Sequence, residues 1–151
     1  MSVINDFHAR GYEFLSNFFE YRFTFEGREY RNAEAAFQAQ KCIDEKEKDK
    51  YTTMPPNVAK RAGRREKLRP DWEDVCEDVM YRVVKAKFAD PFLCCLLKKT
   101  GEALLVEGNH WHDNKWGNCN CPKCRNKPGE NRLGKILMRV RSELPEDIRL
   151  L

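Results

Sequence analysis

One stretch between Asp71 and Phe88 repeats apolar side chains at helical spacing, and it limits the choice of fold more than any other part of the chain. Side chains three and four positions apart lie on one face of an α-helix, so the stripe has to be buried against other elements. We therefore expect a long core helix that is capped by Asp71. Its apolar positions are Trp72, Val75, Cys76, Val79, Met80, Val83, Val84 and Phe88.

Shorter helical patterns occur on both sides of this stretch. Each begins at a residue type that favours helix starts and ends near glycine, proline or a charged turn. The charge-dense segment 44–51 is interpreted as a solvated helix that ends before Pro55 and Pro56. The other predicted helices are 33–42 after Asn32, 58–66 after Asn57, 91–99 after Asp90, and 131–144 before Pro145.

Two segments predict strands. In YRFTFEGREY, residues 21–30, aromatic and polar residues alternate around Glu26–Gly27, which is typical of a short β-hairpin with one aromatic face. Residues 103–106 predict a short apolar strand. With 151 residues, the size of one ordinary domain, the chain is expected to form a single, mainly helical α+β domain over residues 1–151 with a small hairpin or sheet.

Charge and composition narrow the class of partner. The net charge of +4, from 28 basic and 24 acidic residues, permits an anionic ligand without requiring nucleic acid. The first residues lack the pattern of a signal peptide, and no apolar run approaches the ~18 residues of a membrane span. We expect a soluble, cytoplasmic protein that does not bind membranes, and seven cysteines in such a protein indicate free thiols or a metal site.

The segment AEAAFQAQK, residues 33–41, places Glu34, Gln38 and Lys41 on one face of a helix whose other positions are nearly all alanine or phenylalanine. One interpretation is a solvent-facing polar stripe. The other is a desolvated acid and amine, because burial raises the pKa of a carboxyl group and lowers that of an amine. Such a lysine could attack a ribose C1′ and form an imine while the carboxyl group moves protons.

Basic and glycine residues in two helical segments indicate anion binding. AKRAGR, residues 59–64, presents Lys60, Arg61 and Arg64 around Gly63, which suits phosphate but is also common on solvated helix surfaces. FLSNFF, residues 14–19, places Ser16 and Asn17 in a tight, partly buried loop. GENRLGK, residues 129–135, opens a helix whose free N–H groups could receive an anion, although a plain capped start explains it equally well.

The segment HWHDNKWGNCNCPKC, residues 110–124, combines a metal-binding pattern with substrate-like residues. Cys119, Cys121 and Cys124 could bind a structural zinc with His110, His112 or a distant residue as the fourth ligand, or they could be reduced cysteines that stabilise the loop. Asp113 and Trp116, just before them, suit a sugar hydroxyl and a stacked base, and a core tryptophan is the alternative for Trp116.

Taken in order, these stretches resemble the NADAR family, also called YbiA-like. The similarity runs from about residue 12 to residue 144, and the ordered set is far more specific than any one motif. The matching stretches are FLSNF (14–18), AEAAFQAQK (33–41), AKRAGR (59–64), Trp72, HDNKWG (112–117) and GENRLGKILM (129–138).

The resemblance implies a mainly helical α+β fold and cleavage of a C1′–N bond. Family members act on phosphorylated ribosylamino-pyrimidine intermediates of riboflavin synthesis, and related members hydrolyse ADP-ribose from modified guanine bases. By resemblance Glu34, Lys41 and Asp113 form the catalytic set, with Lys41 forming the imine. The remaining residues assigned to substrate binding are Ser16, Asn17, Gln38, Lys60, Arg61, Gly63, Arg64, Trp72, Trp116, Asn131, Leu133 and Gly134.

Two departures from the family bear on selectivity. Ala35 and Ala36 stand where many relatives have histidine and tyrosine, so base or ribose selectivity is expected to differ. The cysteine-rich insert before Gly129 resembles a variant found in part of the family.

The working hypothesis is an N-glycoside hydrolase that requires no cofactor and acts on ADP-ribose or another phosphorylated ribosyl substrate, including ADP-ribosylated DNA or RNA. The alternatives are a non-catalytic module that binds ADP-ribose or nucleic acid, and a zinc-stabilised nucleic-acid module.

Overall fold

A computed structural model describes residues 2–146 of the chain. Within that range the protein is a mainly helical α+β structure with three short two-stranded sheets. The helices are α1 (Ala33–Ala39), α2 (Pro56–Arg65), α3 (Trp72–Lys87), α4 (Pro91–Lys99) and α5 (Arg132–Ser142), with 3-10 helices at Glu13–Leu15 and Glu45–Thr53. The strands are β1 (Val3–Ile4), β2 (Phe23–Phe25), β3 (Arg28–Tyr30), β4 (Leu104–Leu105), β5 (Gly108–Asn109) and β6 (Asn118–Cys119).

The chain divides into two compact units. Asn17–Asp90 forms one unit, and the described residues before and after this range form the other. No helix in the described part of the chain is both long and apolar enough to cross a membrane.

The Asn17–Asp90 unit contains the predicted hairpin. Strands β2 and β3 are antiparallel with Phe23 opposite Tyr30, and both rings are buried. Glu26 and Gly27 have φ of 48° and 85°, the positive values that a tight hairpin turn needs. The aromatic face and the Glu26–Gly27 turn are therefore confirmed.

In this unit, the end of α1 and the start of α2 differ from the prediction. Asn32 caps α1 as expected, because its Oδ1 accepts from Ala35 N at 2.7 Å, but the helix ends at Ala39 rather than at residue 42. Asn57 is not a cap. Helix α2 begins one residue earlier at Pro56, which suits a first helical position because no N–H partner is required there.

Helix α3 has the predicted extent, but Asp71 does not cap it through its side chain. The Asp71 carboxylate instead accepts from Arg69 Nε and Nη2 at 2.7 and 3.0 Å. It therefore binds the neighbouring guanidinium and does not cap the helix. The segment predicted as a solvated helix is a 3-10 helix that buries Lys48 and Tyr51, so it is not wholly solvated.

The other unit joins distant parts of the chain. Strand β1, which the sequence did not predict, pairs in parallel with β4, so that Val3 lies opposite Leu104. Helices α4 and α5 lie within one or two residues of the predicted ranges. The aperiodic stretch 107–130 contains only the two-residue parallel pairing of β5 with β6. Cys94 and Cys95 are buried in this unit, and Cys42 and Cys76 are buried in the Asn17–Asp90 unit.

Candidate active site

Helix α1 buries a carboxylate together with an amide. All seven residues of α1 are buried, and the exposed fractions of Glu34 and Gln38 are only 8% and 6%. Gln38 Nε2 donates to Glu34 Oε1 at 2.9 Å, one turn along the helix. The interpretation of Glu34 and Gln38 as a solvent-facing stripe is therefore wrong, and a desolvated acid is present.

Small residues allow this burial. Gln38 packs against Gly63 of α2, where an added Cβ would lie 1.9 Å from Gln38 Oε1. Only glycine leaves room for the amide at this contact. Gly63 is therefore explained by the approach of α2 to α1, and a phosphate is not needed to account for it.

The Gln38 carbonyl oxygen has no hydrogen-bond partner among the described residues, although it is buried. Its amide nitrogen is committed to Glu34, since a carboxylate requires a donor there. Buried polar atoms are rarely left without a partner. The unsatisfied oxygen is therefore the kind of atom that a bound donor would satisfy.

Lys41 lies just beyond the helix rather than on it. The turn after Ala39 is held by Lys41 N, which donates to Gln38 O at 3.1 Å. The half-buried lysine places Nζ 5.9 Å from the centre of the Trp72 ring, a cation–π distance. Trp72 itself is buried and lies 5.2 Å from the Phe37 ring, so an aromatic pair lies beside the amine.

The basic helix α2 presents most of its charge to solvent. Arg61 and Arg64 are exposed, and Lys60 is half-buried with Nζ 5.6 Å from the centre of the Phe18 ring. These cations are accessible to an anionic ligand.

Ser16 and Asn17 are both buried; along the chain, Ser16 belongs to one unit and Asn17 begins the other. The Asn17 backbone carbonyl accepts from Glu34 N at 3.0 Å, and the Asn17 side-chain Nδ2 donates to Met80 Sδ at 3.3 Å. Asn17 thus supplies an acceptor for an amide in the first turn of α1, where no intrahelical partner exists. Ser16 N donates to Glu13 O at the end of the first 3-10 helix.

In the other unit, Asp113 organises the loop that carries Trp116. One carboxylate oxygen, Oδ1, accepts from Lys115 N at 3.1 Å and from Trp116 N at 2.9 Å. The buried Asn109 side chain accepts from Asp113 N at 3.2 Å and donates to Asp113 O at 2.8 Å. Trp116 is half-buried, so part of its ring remains accessible for stacking.

The amides at the start of α5 are already used within the protein. Arg132 N and Leu133 N donate to the carbonyls of Lys115 and Trp116 at 3.2 and 3.0 Å. Asn131, with a left-handed φ of 50°, turns its side chain onto Leu105 O and Glu107 N. The plain structural explanation of this helix start is therefore favoured over an anion site there.

Leu133 and Gly134 belong to the packing of α5. Leu133 is buried, with an exposed fraction of 1%. A Cβ at Gly134 would lie 2.2 Å from Leu105 O, so glycine is required for the helix to approach β4.

Three cysteines and one histidine converge in the insert. Their ligand atoms all lie within 4.8 Å of one another; the group consists of His112, Cys119, Cys121 and Cys124. Burial raises the pKa of the Cys121 thiol, but hydrogen bonds with the Cys119 and Cys124 sulfurs outweigh it and lower the pKa to about 7. His110 is not in this group; it is exposed and makes an edge contact with the Trp111 ring.

Two residues that the sequence analysis did not single out contribute to these arrangements. The buried Asn109 side chain holds the Asp113 loop by two hydrogen bonds, and its one signal in the sequence was a polar residue three positions after a predicted strand. Lys87 is buried near the Phe19 and Phe88 rings at the end of α3, and burial lowers the pKa of its amine to about 7. In the sequence Lys87 looked like an ordinary cation at a helix C-terminus.

Comparison with known proteins connects these features to one family. The N-glycosidase YbiA of Escherichia coli K12 is 40% identical over 134 residues, which span 86% of this chain and 80% of that protein. The solution NMR structure of E. coli YbiA superposes with a TM-score of 0.79 at 36% identity, covering 95% of this chain and 86% of that one. The maize riboflavin biosynthesis protein PYRR is 41% identical over 96 residues, 59% of this chain and 14% of the maize protein.

The sequence model of the NADAR domain matches residues 6–145, nearly the whole of the chain. The mainly helical α+β fold agrees with the fold of the YbiA structure. The chain belongs to the NADAR domain family.

Proposed function

We propose that this chain is an N-glycosidase that hydrolyses the C1′–N bond of a phosphorylated ribosyl base, with Glu34 and Lys41 as the catalytic residues. Family membership supports the reaction class and favours an enzyme over a passive binding module. The observation that carries the residue assignment is the buried Glu34–Gln38 pair, followed one turn later by an amine held against Trp72.

Two routes fit these side chains. In the first, Lys41 Nζ attacks C1′, the C1′–N bond breaks, and the departing base nitrogen takes a proton from Glu34. The lysine nitrogen then gives a proton to Glu34, the C1′–O4′ bond breaks, and O4′ takes that proton, which leaves an imine between Lys41 and the opened sugar. Water hydrolyses the imine, which restores the lysine and releases the ribose phosphate. In the second, Glu34 takes a proton from water, that water attacks C1′, the C1′–N bond breaks, and Glu34 returns the proton to the departing base nitrogen.

Binding is assigned to two further groups in the Asn17–Asp90 unit. The Gln38 oxygen, which has no hydrogen-bond partner among the described residues, would accept from a sugar hydroxyl once the amide turns away from Gly63. Lys60, Arg61 and Arg64 provide accessible cations for phosphate. The assignments of Ser16, Asp113, Trp116 and the start of α5 to substrate rest on the family resemblance alone.

Phosphorylated ribosylamino-pyrimidines are the first substrate class. The names of the maize relative and of a Vibrio vulnificus relative, both riboflavin biosynthesis proteins, support this choice. The second class is ADP-ribosyl-guanine in nucleic acid. It is favoured by the density of charge on α2, which carries Lys60, Arg61, Arg64 and Arg65 within ten residues, more than a single monophosphate requires.

The decisive assay measures release of the free base from both substrate classes side by side by mass spectrometry. We expect Glu34→Gln and Lys41→Ala to lower turnover by about 100-fold or more while leaving the fold intact. Glu29→Gln and Lys46→Ala are matched controls, since both residues are exposed. Wild-type turnover in both site variants would refute the assignment.

The two routes are separated by trapping. Borohydride added during turnover should reduce a Lys41 imine to a stable amine, and peptide mapping should find the added mass on the peptide that contains residue 41. Turnover without any trapped adduct, together with an active Lys41→Ala variant, would leave the direct water route.

A further inference from the structure

We propose that His112, Cys119, Cys121 and Cys124 form a closed structural zinc site that holds the insert loop in place. The site is independent of the substrate and of the catalytic assignments above.

The distances match tetrahedral zinc. Bonds of ~2.3 Å to sulfur and ~2.0 Å to nitrogen place S and N ligands about 3.6 Å apart in a tetrahedron. His112 Nδ1 lies 3.3, 3.4 and 4.0 Å from the sulfurs of Cys121, Cys124 and Cys119, values that bracket that separation. Four protein ligands leave no open position for water, so the ion would be structural rather than catalytic.

Two backbone amides donate to the Cys119 sulfur. His112 N and Cys121 N both point at Cys119 Sγ, at 3.3 and 3.5 Å. Such donors offset the negative charge of a metal-bound thiolate and orient it. His112 reaches this arrangement with a left-handed φ of 70°, which is uncommon for a residue with a side chain.

Within residues 118–128, only Cys119 and Cys124 are buried. From residue 122 to residue 128, Cys124 is the one buried residue, and every other side chain is exposed. Cys119, on strand β6, is also buried with an exposed fraction of 1%. Apolar packing therefore cannot order this loop, whereas zinc binding can supply the folding free energy directly.

The ordered loop has consequences for its neighbours in the same unit. Cys119 N donates to Asn114 Oδ1 at 2.8 Å, and Gly129 N donates to Asn118 Oδ1 at 2.7 Å. One bond leads towards the Asp113–Trp116 turn and the other towards the start of α5. Zinc would thus fix both ends of the segment between Trp116 and α5.

The primary test is metal content. Protein purified under reducing conditions from zinc-supplemented medium should contain about one zinc per chain, as measured by inductively coupled plasma mass spectrometry. His112→Ala and Cys121→Ser should weaken zinc affinity at least ~100-fold, since changes outside the ligand set alone weaken it 10–100-fold. His110→Ala and Cys95→Ala are matched controls that should retain the ion, and retention in every variant would mean an adventitious ion only.

Cobalt substitution keeps the test decisive if the variants do not fold. Co²⁺ added to chelator-stripped wild-type protein should produce intense thiolate-to-cobalt charge-transfer and tetrahedral ligand-field bands, which zinc then abolishes. Wild-type protein without zinc and without these bands would overturn the proposal. A disulfide within the cluster would also overturn the proposal. It would be seen as the loss of two hydrogens in the intact mass of freshly purified protein measured without reductant.

Limited proteolysis gives a third readout that does not depend on enzyme activity. Lys123 and Arg125 are exposed trypsin sites inside the insert. Chelation should accelerate cleavage at these two positions, and added zinc should restore protection. Equal cleavage with and without metal would show that the ion does not order the loop.

Discussion

Gly63→Ala is expected to reverse the usual effect of replacing glycine by alanine in a helix. In a helix interior this change normally stabilises by about 1 kcal/mol. Here the added methyl group would lie 1.9 Å from Gln38 Oε1 and 2.5 Å from Gln38 Cδ, so the amide has to move. Gln38 is buried, with an exposed fraction of 6%, and therefore cannot swing freely into solvent.

The magnitude follows from three contributions. Overpacking a helix contact costs about 1–3 kcal/mol. Displacing the amide also breaks the 2.9 Å hydrogen bond from Gln38 to the Glu34 carboxylate, a type of bond worth about 1.5–3 kcal/mol. Because the amide lies at the end of a flexible side chain, the lower part of each range applies. After subtracting the helix-propensity gain of about 1 kcal/mol, the net destabilisation should be about 2 kcal/mol.

A double-mutant cycle measured by urea unfolding isolates this contact. Gly63→Ala is compared in the wild type and in a Gln38→Ala background, where the methyl group enters the space that the amide has left. In that background the change should be neutral or stabilising by up to ~1 kcal/mol, so the coupling free energy should be about 2–3 kcal/mol. Equal effects in the two backgrounds, within ~0.5 kcal/mol, would refute the packing argument.

Three further predictions concern other parts of the molecule. Gly134→Ala should destabilise by about 3 kcal/mol in urea unfolding, because its Cβ would lie 2.2 Å from the backbone oxygen of Leu105, which cannot move aside cheaply. Burial lowers the pKa of Lys87 to about 7 from its ordinary value of 10.5. Between these two values the unfolded chain binds more protons than the folded protein, so the free energy of unfolding rises with pH. Unfolding free energies at pH 7 and 9 should therefore show wild type gaining roughly 2 kcal/mol relative to Lys87→Met, whereas the exposed Lys85→Met gives no such trend. Asp113→Asn should retain the two hydrogen bonds to the loop amides and therefore the thermal midpoint of unfolding, whereas Asp113→Ala should lower that midpoint. Loss of turnover in the asparagine variant would identify a role for the negative charge.

Local signals in the sequence were sufficient for most elements. The β2–β3 hairpin follows from alternation around Glu26–Gly27, whose positive φ values suit glycine and a tight turn. Asn32 caps α1 as predicted, because its Oδ1 accepts from Ala35 N while its Nδ2 donates to Met54 O. Helix α3 was identified by its apolar stripe, which is long enough to outweigh its charged positions.

Interactions between distant residues account for what the sequence could not predict. Asp71 failed as a side-chain cap because Arg69, two residues away, binds its carboxylate. The pairing of β1 with β4 joins Val3 to Leu104, and a strand of two residues has no pattern of its own. The role of Gly63 appeared only when α2 was placed against Gln38. Sequence also left His110 and His112 equivalent, whereas the backbone turn at His112 brings only that ring to the cysteines.

The burial of Glu34 argues for a chemical role because removing a carboxylate from water costs free energy. Glu34 has an exposed fraction of 8% and accepts a hydrogen bond from Gln38 at 2.9 Å. Replacing a buried charge by a neutral group of the same shape is often neutral or stabilising. Glu34→Gln removes the charge and keeps the shape, so we expect its free energy of unfolding to equal or exceed that of the wild type by up to ~2 kcal/mol, even as turnover falls. Parallel urea-unfolding and base-release measurements on this one variant check both halves. A loss of more than ~2 kcal/mol of stability would show instead that the carboxylate belongs to a structural ion pair, because breaking such a buried pair is strongly destabilising.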